Sequence, residues 1–401
     1  MFEQLNATPP DPILSLMAQF RADPRQQKVD LGVGVYQDQR GATPVMAAVR
    51  EAEAQLYAGE TTKTYQGIAG NPAFGDAMIE LLFADQRGQL PALVEQQRVR
   101  FISTPGGSGA LRLGGELLRR ANPAARLWVG TPTWPNHMPL LASTGLPMME
   151  YNYLDGAGSG VDMVALSEAL NSAAPGDVVL LHGCCHNPSG VDLTAEQWLA
   201  VVELCEQRRL LPFVDVAYQG LGVGLLEDSA PLRLLAERLP EFIVASSCSK
   251  NFGLYRERCG GLAIVAADRR ATEMAANQAM VAARQIWSMP PAHGADIVAT
   301  LLADRQLASD WRSELESVRQ RIVAMRELLV ARANGNRAGI DFSPILSQRG
   351  MFSFLGISPA QVVALREQFG VYMIDSTRIN LAGINSTNID HLSEALYQVL
   401  V

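Results

Sequence analysis

The chain has 401 residues, more than one domain usually holds, so two or three domains are expected. Its 33 Lys and Arg against 41 Asp and Glu give a net charge of −8, which lacks the basic footprint of a phosphate-backbone binder and argues against nucleic acid as the main partner. An apolar fraction of 48% permits a large core and excludes wholesale disorder.

Met1–Asn6 has neither a basic nor a long apolar stretch, so no secretory signal is expected. No apolar run approaches the roughly 18 residues of a spanning helix, so no membrane association is expected. Apolar runs alternating with helical patterns then fill the middle of the chain. Val99–Ser103 reads as a strand, followed by a glycine-rich turn, Gly106–Gly109, and a helix from Ala110. Arg126–Val129, Val178–Leu181, Leu211–Val214 and Phe242–Ala245 read as further strands. Continuous rather than alternating apolar strands imply a mainly parallel sheet covered on both faces. Ligands of such sheets bind at the carboxyl ends of the strands.

Leu307, Trp311, Leu315, Val318, Ile322, Met325 and Leu329 form one stripe of a long amphipathic helix ending near Asn334-Gly335. A strand at Met351–Leu355 precedes a helix start in which Ser358 caps, Pro359 opens and Gln361 closes a capping box. Strands near Val371–Ile374 and Arg378–Leu381 and a helix from about Thr387 complete a smaller α+β part.

The strand ends carry the chemistry. Gly106–Gly109 opens a helix, whose free N–H groups and dipole suit a phosphate, although many such turns use glycine only for packing. The spacing does not match Gly-x-Gly-x-x-Gly, so a nicotinamide fingerprint is not supported. His182-Gly183-Cys184-Cys185-His186-Asn187 invites a metal reading, but adjacent cysteines diverge, no second ligand pair stands elsewhere, and no metal is expected. With Cys205, Cys248 and Cys259 they read as thiols in a reducing cytosol. Asp215 and Tyr218 follow one strand, and Lys250 follows another. Alone each has an ordinary reading as helix cap, core residue or solvated lysine. Together they supply what an aldehyde cofactor with a phosphate and a protonatable ring needs.

These motifs resemble the class I pyridoxal-phosphate aminotransferases, in particular the bacterial aspartate and aromatic amino acid aminotransferases. The resemblance runs from Asp11-Pro12-Ile13-Leu14 to the last helix. It includes Asp30-Leu31-Gly32-Val33-Gly34-Val35-Tyr36, Thr104–Ala110, Trp134-Pro135-Asn136-His137 and His186-Asn187-Pro188-Ser189-Gly190. It continues through Asp215-Val216-Ala217-Tyr218, Ser247-Cys248-Ser249-Lys250-Asn251-Phe252-Gly253, Glu257-Arg258 and Pro290-Pro291-Ala292-His293-Gly294.

The resemblance implies the pyridoxal-phosphate type I fold, an α/β large domain on a seven-stranded, mostly parallel sheet with a smaller α+β domain. Residues 1–44 would form an N-terminal arm and part of the small domain, 45–317 the large domain, and 318–401 the rest of the small domain. It further implies pyridoxal 5'-phosphate, a cytoplasmic homodimer with shared sites, and amino acid and 2-oxo acid substrates. Lys250 resembles the Schiff-base lysine and proton carrier, Asp215 the partner of the ring nitrogen, and His137 its buttress. Tyr218 and Asn187 would bond the phenolic oxygen, and Trp134 would stack on the ring. Gly107, Ser108, Ser247 and Arg258 would hold the phosphate, with Tyr65 from the partner subunit. Arg378 resembles the α-carboxylate clamp, and Arg284 the residue reaching across the dimer to a distal carboxylate. Gly34, Trp134 and Asn187 would also border the substrate.

Gln37, Ser108 and Met289 depart from the aspartate-selective pattern and put narrow dicarboxylate specificity in doubt. The expected reaction is therefore L-aspartate with 2-oxoglutarate giving oxaloacetate and L-glutamate, with side activity on aromatic amino acids. The alternative is an enzyme acting mainly on phenylalanine and tyrosine. A lyase or decarboxylase on the same fold is disfavoured by the two arginines. A non-catalytic regulator would need a fused DNA-binding domain, for which no chain remains.

Overall fold

The computed structural model describes residues 1–6, 12–335 and 340–401; of the opening Asp11-Pro12-Ile13-Leu14 stretch, Asp11 lies outside the described residues. The strands, in chain order, are β1 (Val29–Asp30), β2 (Val99–Pro105), β3 (Leu127–Thr131), β4 (Met148–Asn152), β5 (Val178–His182) and β6 (Leu211–Val216). They continue with β7 (Phe242–Ser247), β8 (Cys259–Val265), β9 (Phe352–Phe354), β10 (Val371–Tyr372) and β11 (Arg378–Asn380). Two compact units divide the chain: Met1–Thr43 with Arg321–Val401, and Pro44–Gln320.

The Pro44–Gln320 unit is built on a seven-stranded sheet of order β2-β8-β7-β6-β5-β3-β4. The pairs from β7 to β4 are parallel, and β8 runs antiparallel to both β2 and β7. The reason lies in the apolar runs. Along β5, Val179 and Leu181 enter one core while Val178 and Leu180 enter another. Along β7, Phe242 and Val244 face the first core, and Ile243 and Ala245 the second. Each such fully buried side chain contributes about 1.5–3 kcal/mol, and two buried faces leave no room for alternation. Helices such as Gly106–Ala121 and Ala195–Arg208 supply the apolar partners on the two faces.

The carboxyl ends of β2, β3, β5, β6 and β7 share one edge of the sheet. Several strands run past the apolar stretches that announce them: β5 to His182, β6 to Val216 and β7 to Ser247. His182, Asp215 and Ser247 therefore sit in backbone ladders rather than loops, and His182 is in register with Asp215. The glycine-turn helix begins at Gly106, earlier than the Ala110 start read from the sequence, so the turn is itself the first helical turn. Sequence patterning gave no sign of β4 or β8. β4 is a half-buried edge, and β8 opens with Cys259-Gly260-Gly261, where glycine weakens a strand signal.

In the unit of Met1–Thr43 and Arg321–Val401, β1 pairs parallel with β10, and β11 antiparallel with β9. Ser358 and Gln361 close the capping box of the helix Pro359–Phe369, and Gly370 ends it in a left-handed conformation. The long helix spans Arg305–Gly335. All of its apolar stripe is buried except Val318, which is half-buried. Trp311 stacks on Phe252, with centroids 4.3 Å apart, and its Nε1 donates to the Asn251 carbonyl at 2.8 Å. The segment following Lys250 is thus anchored from both chain neighbours. Among the described residues no helix is long and apolar enough to cross a membrane.

Candidate active site

At the carboxyl edge of the large sheet lies a cavity of about 190 Å³. Gly107, Ser108, Trp134, Asn187, Asp215, Tyr218, Ser247, Lys250 and Arg258 all line it. These residues, from strand ends, turns and the start of one helix, span about 150 positions of sequence, and the parallel topology gathers them. A larger cavity, about 1070 Å³, borders the helix Pro72–Phe83 and holds none of them. Chemistry rather than volume distinguishes the site.

Asp215 is buried at the end of β6. His137 Nε2 lies 3.1 Å from its Oδ2, and Nδ1 of the same ring lies 2.7 Å from Thr133 Oγ1. Thr133 Oγ1 in turn lies 3.0 Å from His182 Nε2. One set of directions satisfies every partner: His182 Nε2 donates to Thr133, Thr133 to His137 Nδ1, and His137 Nε2 to Asp215. Burial and the neighbouring His137 push the His182 pKa down to about 3, so that ring is neutral at ordinary pH. Burial would raise the Asp215 pKa, but the hydrogen bond from His137, with the nearby Lys250 amine, outweighs it. The carboxyl sits below its ordinary value, and Asp215 stays an anion across the neutral range.

His137→Leu should therefore raise the Asp215 pKa, because desolvation loses its largest counterweight. The acid limb of the kcat/KM profile should move up by about one pH unit, while kcat/KM at neutral pH, well above both values, should change little through this cause. A pH–rate profile with an unmoved acid limb would show that His137 does not set the charge of Asp215.

Sequence reading singled out His137 but not the chain behind it. Thr133 carries no role in that reading, and His182 and His186 enter it only as weak metal candidates. The structure buries His186 and leaves His182 half-buried behind Thr133. His186 stacks on Tyr153 at 3.9 Å between centroids and its Nδ1 meets Ser189 Oγ at 2.7 Å.

Tyr218 and Asn187 are buried, and Asn187 Nδ2 donates to Tyr218 Oη at 3.3 Å. Lys250 Nζ stands 5.0 Å from the centroid of the Tyr218 ring. Trp134 is half-buried and meets His137 edge-on at 5.2 Å. The amine, phenol, amide and carboxylate thus converge from three strand ends, those of β5, β6 and β7.

At the opposite side of the cavity the helix Gly106–Ala121 begins. Gly106 has φ of +69°, and a Cβ there would come within 2.6 Å of Arg258 Nη2. A Cβ on Gly107 would come within 3.1 Å of Ser247 Cβ. The missing side chains leave a concave cradle of N–H groups, serine hydroxyls and a guanidinium. Ser249 also lines the cavity, and its Oγ accepts from Ser247 Oγ at 3.1 Å. The buried anion, the amine and the phosphate-sized cradle fit pyridoxal 5'-phosphate: a cationic ring edge, an aldehyde and a dianionic tail.

The remaining candidates lie elsewhere. Tyr65 is 93% exposed. Arg284 is exposed near the end of the helix Arg269–Ile286 and donates to Ser288 Oγ. Neither lines the cavity of its own chain. Arg378 and Gly34 belong to the other unit, where Arg378 is buried. Its Nη2 donates to the Gly32 carbonyl at 2.7 Å, and its guanidinium carbon stands 4.3 Å over the Phe352 ring. Asn380 Nδ2 donates to both Val33 and Val35 carbonyls at 2.7 Å, so Gly34 is pinned beside Arg378. A Cβ on Gly34 would come within 3.3 Å of Phe352 Cζ. Of the three departures, Ser108 lines the cavity, and Gln37 and Met289 are half-buried away from its wall.

The profile of the family described as aminotransferase class I and II matches residues 26–396. The chain is 48% identical over 400 residues to the aspartate aminotransferase of Escherichia coli strain K12, covering 100% of both. It is 46% identical over 399 residues to the aromatic-amino-acid aminotransferase of Paracoccus denitrificans, again covering 100% of both. Among solved structures it is similar to the aromatic-amino-acid aminotransferase of Burkholderia pseudomallei covalently bound to pyridoxal phosphate. The TM-score there is 0.96 at 41% identity, with 100% of each chain covered.

Proposed function

The chain belongs to the class I and II aminotransferases, and from that premise we propose that it transfers the amino group of L-aspartate to 2-oxoglutarate, giving oxaloacetate and L-glutamate. Phenylalanine and tyrosine serve as secondary donors, and pyridoxal 5'-phosphate is the cofactor. The observation that carries this reading is the single cavity in which Lys250, Asp215, Tyr218, Asn187, Trp134 and the cradle at Gly107 meet. Near-equal identity to an aspartate and an aromatic enzyme supports the two donor classes.

When bound, the cofactor supplies a carbonyl that takes up the amino group and a ring that accepts the electron pair released at the substrate's Cα. Asp215, held ionised by His137, keeps the ring nitrogen protonated. Lys250 Nζ holds the cofactor covalently between turnovers and, once released, carries the proton from the substrate Cα. Tyr218 and Asn187 bond the phenolic oxygen, and Trp134 offers a flat face to the ring. Gly107, Ser108, Ser247 and Arg258 bind the phosphate. Arg378 takes the substrate α-carboxylate as a planar, two-pronged donor, with Gly34 leaving it room. Two half-reactions then alternate on one site in ping-pong order.

The protein works in the cytoplasm as a homodimer, with Tyr65 and Arg284 each serving the neighbouring subunit's site. Their exposure on their own chain supports this reading. Mixing inactive Lys250→Ala with inactive Arg284→Ala subunits should restore one intact site per heterodimer. Assay of the mixture with aspartate after verified subunit exchange checks it; no recovery would reject shared sites.

Product analysis tests the reaction itself. Aspartate and 2-oxoglutarate should yield glutamate and oxaloacetate in equal amounts. Ammonia or carbon dioxide in place of glutamate would mean elimination or decarboxylation.

A further inference from the structure

Four of the five cysteines occur in two pairs close to the active site, and one pair has a third sulfur beside it. Cys248 follows the last residue of β7, and Cys259 opens β8. The register Ser247↔Gly260 brings them face to face on adjacent strands, and the Cys248 N–H donates to the Cys259 carbonyl at 3.0 Å. Their side chains therefore stand opposite each other on the paired strands. Met78, on the helix Pro72–Phe83, packs from the other side, with its Sδ 3.8 Å from Cys248 Sγ. All three side chains are at most 2% exposed.

Three sulfurs bonded to one ion at about 2.3 Å stand about 3.8 Å apart in tetrahedral and about 4.0 Å apart in trigonal geometry. The Met78–Cys248 spacing already meets that requirement. Two thiols and a thioether, with no imidazole in the set, are soft donors. Hard cations such as magnesium prefer oxygen, and structural zinc takes four ligands from cysteine, histidine and carboxylate. The acidic side chains of Asp296 and Glu257 add negative charge on the Cys259 side.

We propose that Cys248, Cys259 and Met78 form a binding site for a soft monovalent cation, Cu(I) or Ag(I), and that its occupation shuts down the neighbouring active site. Both cysteines bind as thiolates, each losing its proton to solvent, and Met78 binds through its neutral sulfur. No electron is transferred. The link to activity is covalent. Cys248 lies between Ser247 and Ser249 and two residues before Lys250, while Cys259 follows Arg258. Ser247, Ser249, Lys250 and Arg258 all line the cavity. Drawing two sulfurs onto one ion shifts both segments, and with them the lysine and the phosphate cradle.

The competing site is the other pair. Cys184 and Cys185 adjoin the Asp228 carboxylate, forming a second group of possible ligands. That carboxylate already accepts from the N–H groups of Gly220, Gly222, Val223 and Gly224. The two pairs are separable by substitution.

The experiment titrates cofactor-loaded protein anaerobically with Cu(I), using bicinchoninate as competing chelator. It reads retained copper per chain and the ultraviolet thiolate-to-copper absorption, with transaminase activity in parallel. The unmodified protein should retain one tightly held equivalent and lose activity in proportion. Cys248→Ala/Cys259→Ala should lose that equivalent, and Cys184→Ala/Cys185→Ala should keep it. Met78→Leu, a swap of similar volume that leaves the fold intact, should weaken binding at least about tenfold. Retention by the Cys248/Cys259 variant, or loss by the Cys184/Cys185 variant, overturns the site. Unchanged affinity in Met78→Leu overturns the three-sulfur assignment, even where the double variants fold poorly. Copper bound at the trio with full activity overturns the shutdown.

Discussion

Lys250→Ala should lose the covalently held cofactor and nearly all turnover, at least about four orders of magnitude in kcat. The lysine sits where a buried strand ends, beside the Tyr218 ring and across the cavity from the phosphate cradle. Packing does not explain an amine there. The next residues, Asn251 and Phe252, are fixed by Trp311, so the backbone presenting Lys250 is held in place. On the proposed roles, loss of the amine would remove both the cofactor's covalent anchor and the group that moves the proton at Cα. Neither Tyr218 nor Asn187 offers a basic nitrogen in its place. Borohydride reduction of the cofactor-loaded protein, followed by peptide mapping, should place the added mass on Lys250. The same mass on another lysine would overturn the assignment. Substantial turnover by the alanine variant would mean that another group carries the proton.

The fold was largely legible because its strands are continuous apolar runs, and a parallel sheet buried on both faces has no other pattern. Val178–Leu181 and Phe242–Ala245 announced themselves in this way. The two strands that escaped notice lacked it: β4 is half-exposed, and β8 opens on two glycines. Boundaries slipped for a related reason. A ladder continues as long as backbone partners exist, so Asp215 and Ser247 belong to strands although they are polar. That displacement matters, because a carboxylate fixed in a ladder is a better-oriented partner than one on a loop.

The cavity residues were legible through motifs, one by one, and no spacing rule joined them. What brings Gly107, Asp215 and Lys250 together is the order of the strands, which a linear pattern does not carry. The relay behind Asp215 was hidden for the same reason. His182 neighbours Asp215 only because β5 and β6 pair in that register. Tyr65 and Arg284 were nameable only by resemblance; on the folded chain they are exposed side chains like many others.

Replacing Arg284 by a neutral residue of similar length should lower kcat/KM for aspartate and glutamate by at least about two orders of magnitude, roughly 3 kcal/mol. A guanidinium is never neutral in a protein, and its planar fork matches a carboxylate with two bonds. In the proposed shared site a dicarboxylic donor would give it a charged partner. With phenylalanine it gains none, and burying it alone would cost several kcal/mol, so it must turn back toward solvent. The structure supplies an alternative hold: Arg284 donates to Ser288 Oγ four residues on, just past the helix end and at an exposed position. That local partner makes retreat inexpensive, which is what dual specificity requires. By the resemblance, Gln37, Ser108 and Met289 depart from the aspartate-selective pattern, which would favour the same breadth. Arg284→Gln should accordingly leave the aromatic donors within a fewfold of their original kcat/KM. Steady-state assays with aspartate and phenylalanine, each against 2-oxoglutarate, give both ratios. Equal losses for the two donors would sink the assignment of Arg284 to the distal carboxylate. Undetectable turnover of phenylalanine and tyrosine by the unmodified enzyme would reject dual specificity alone and leave a strict aspartate aminotransferase.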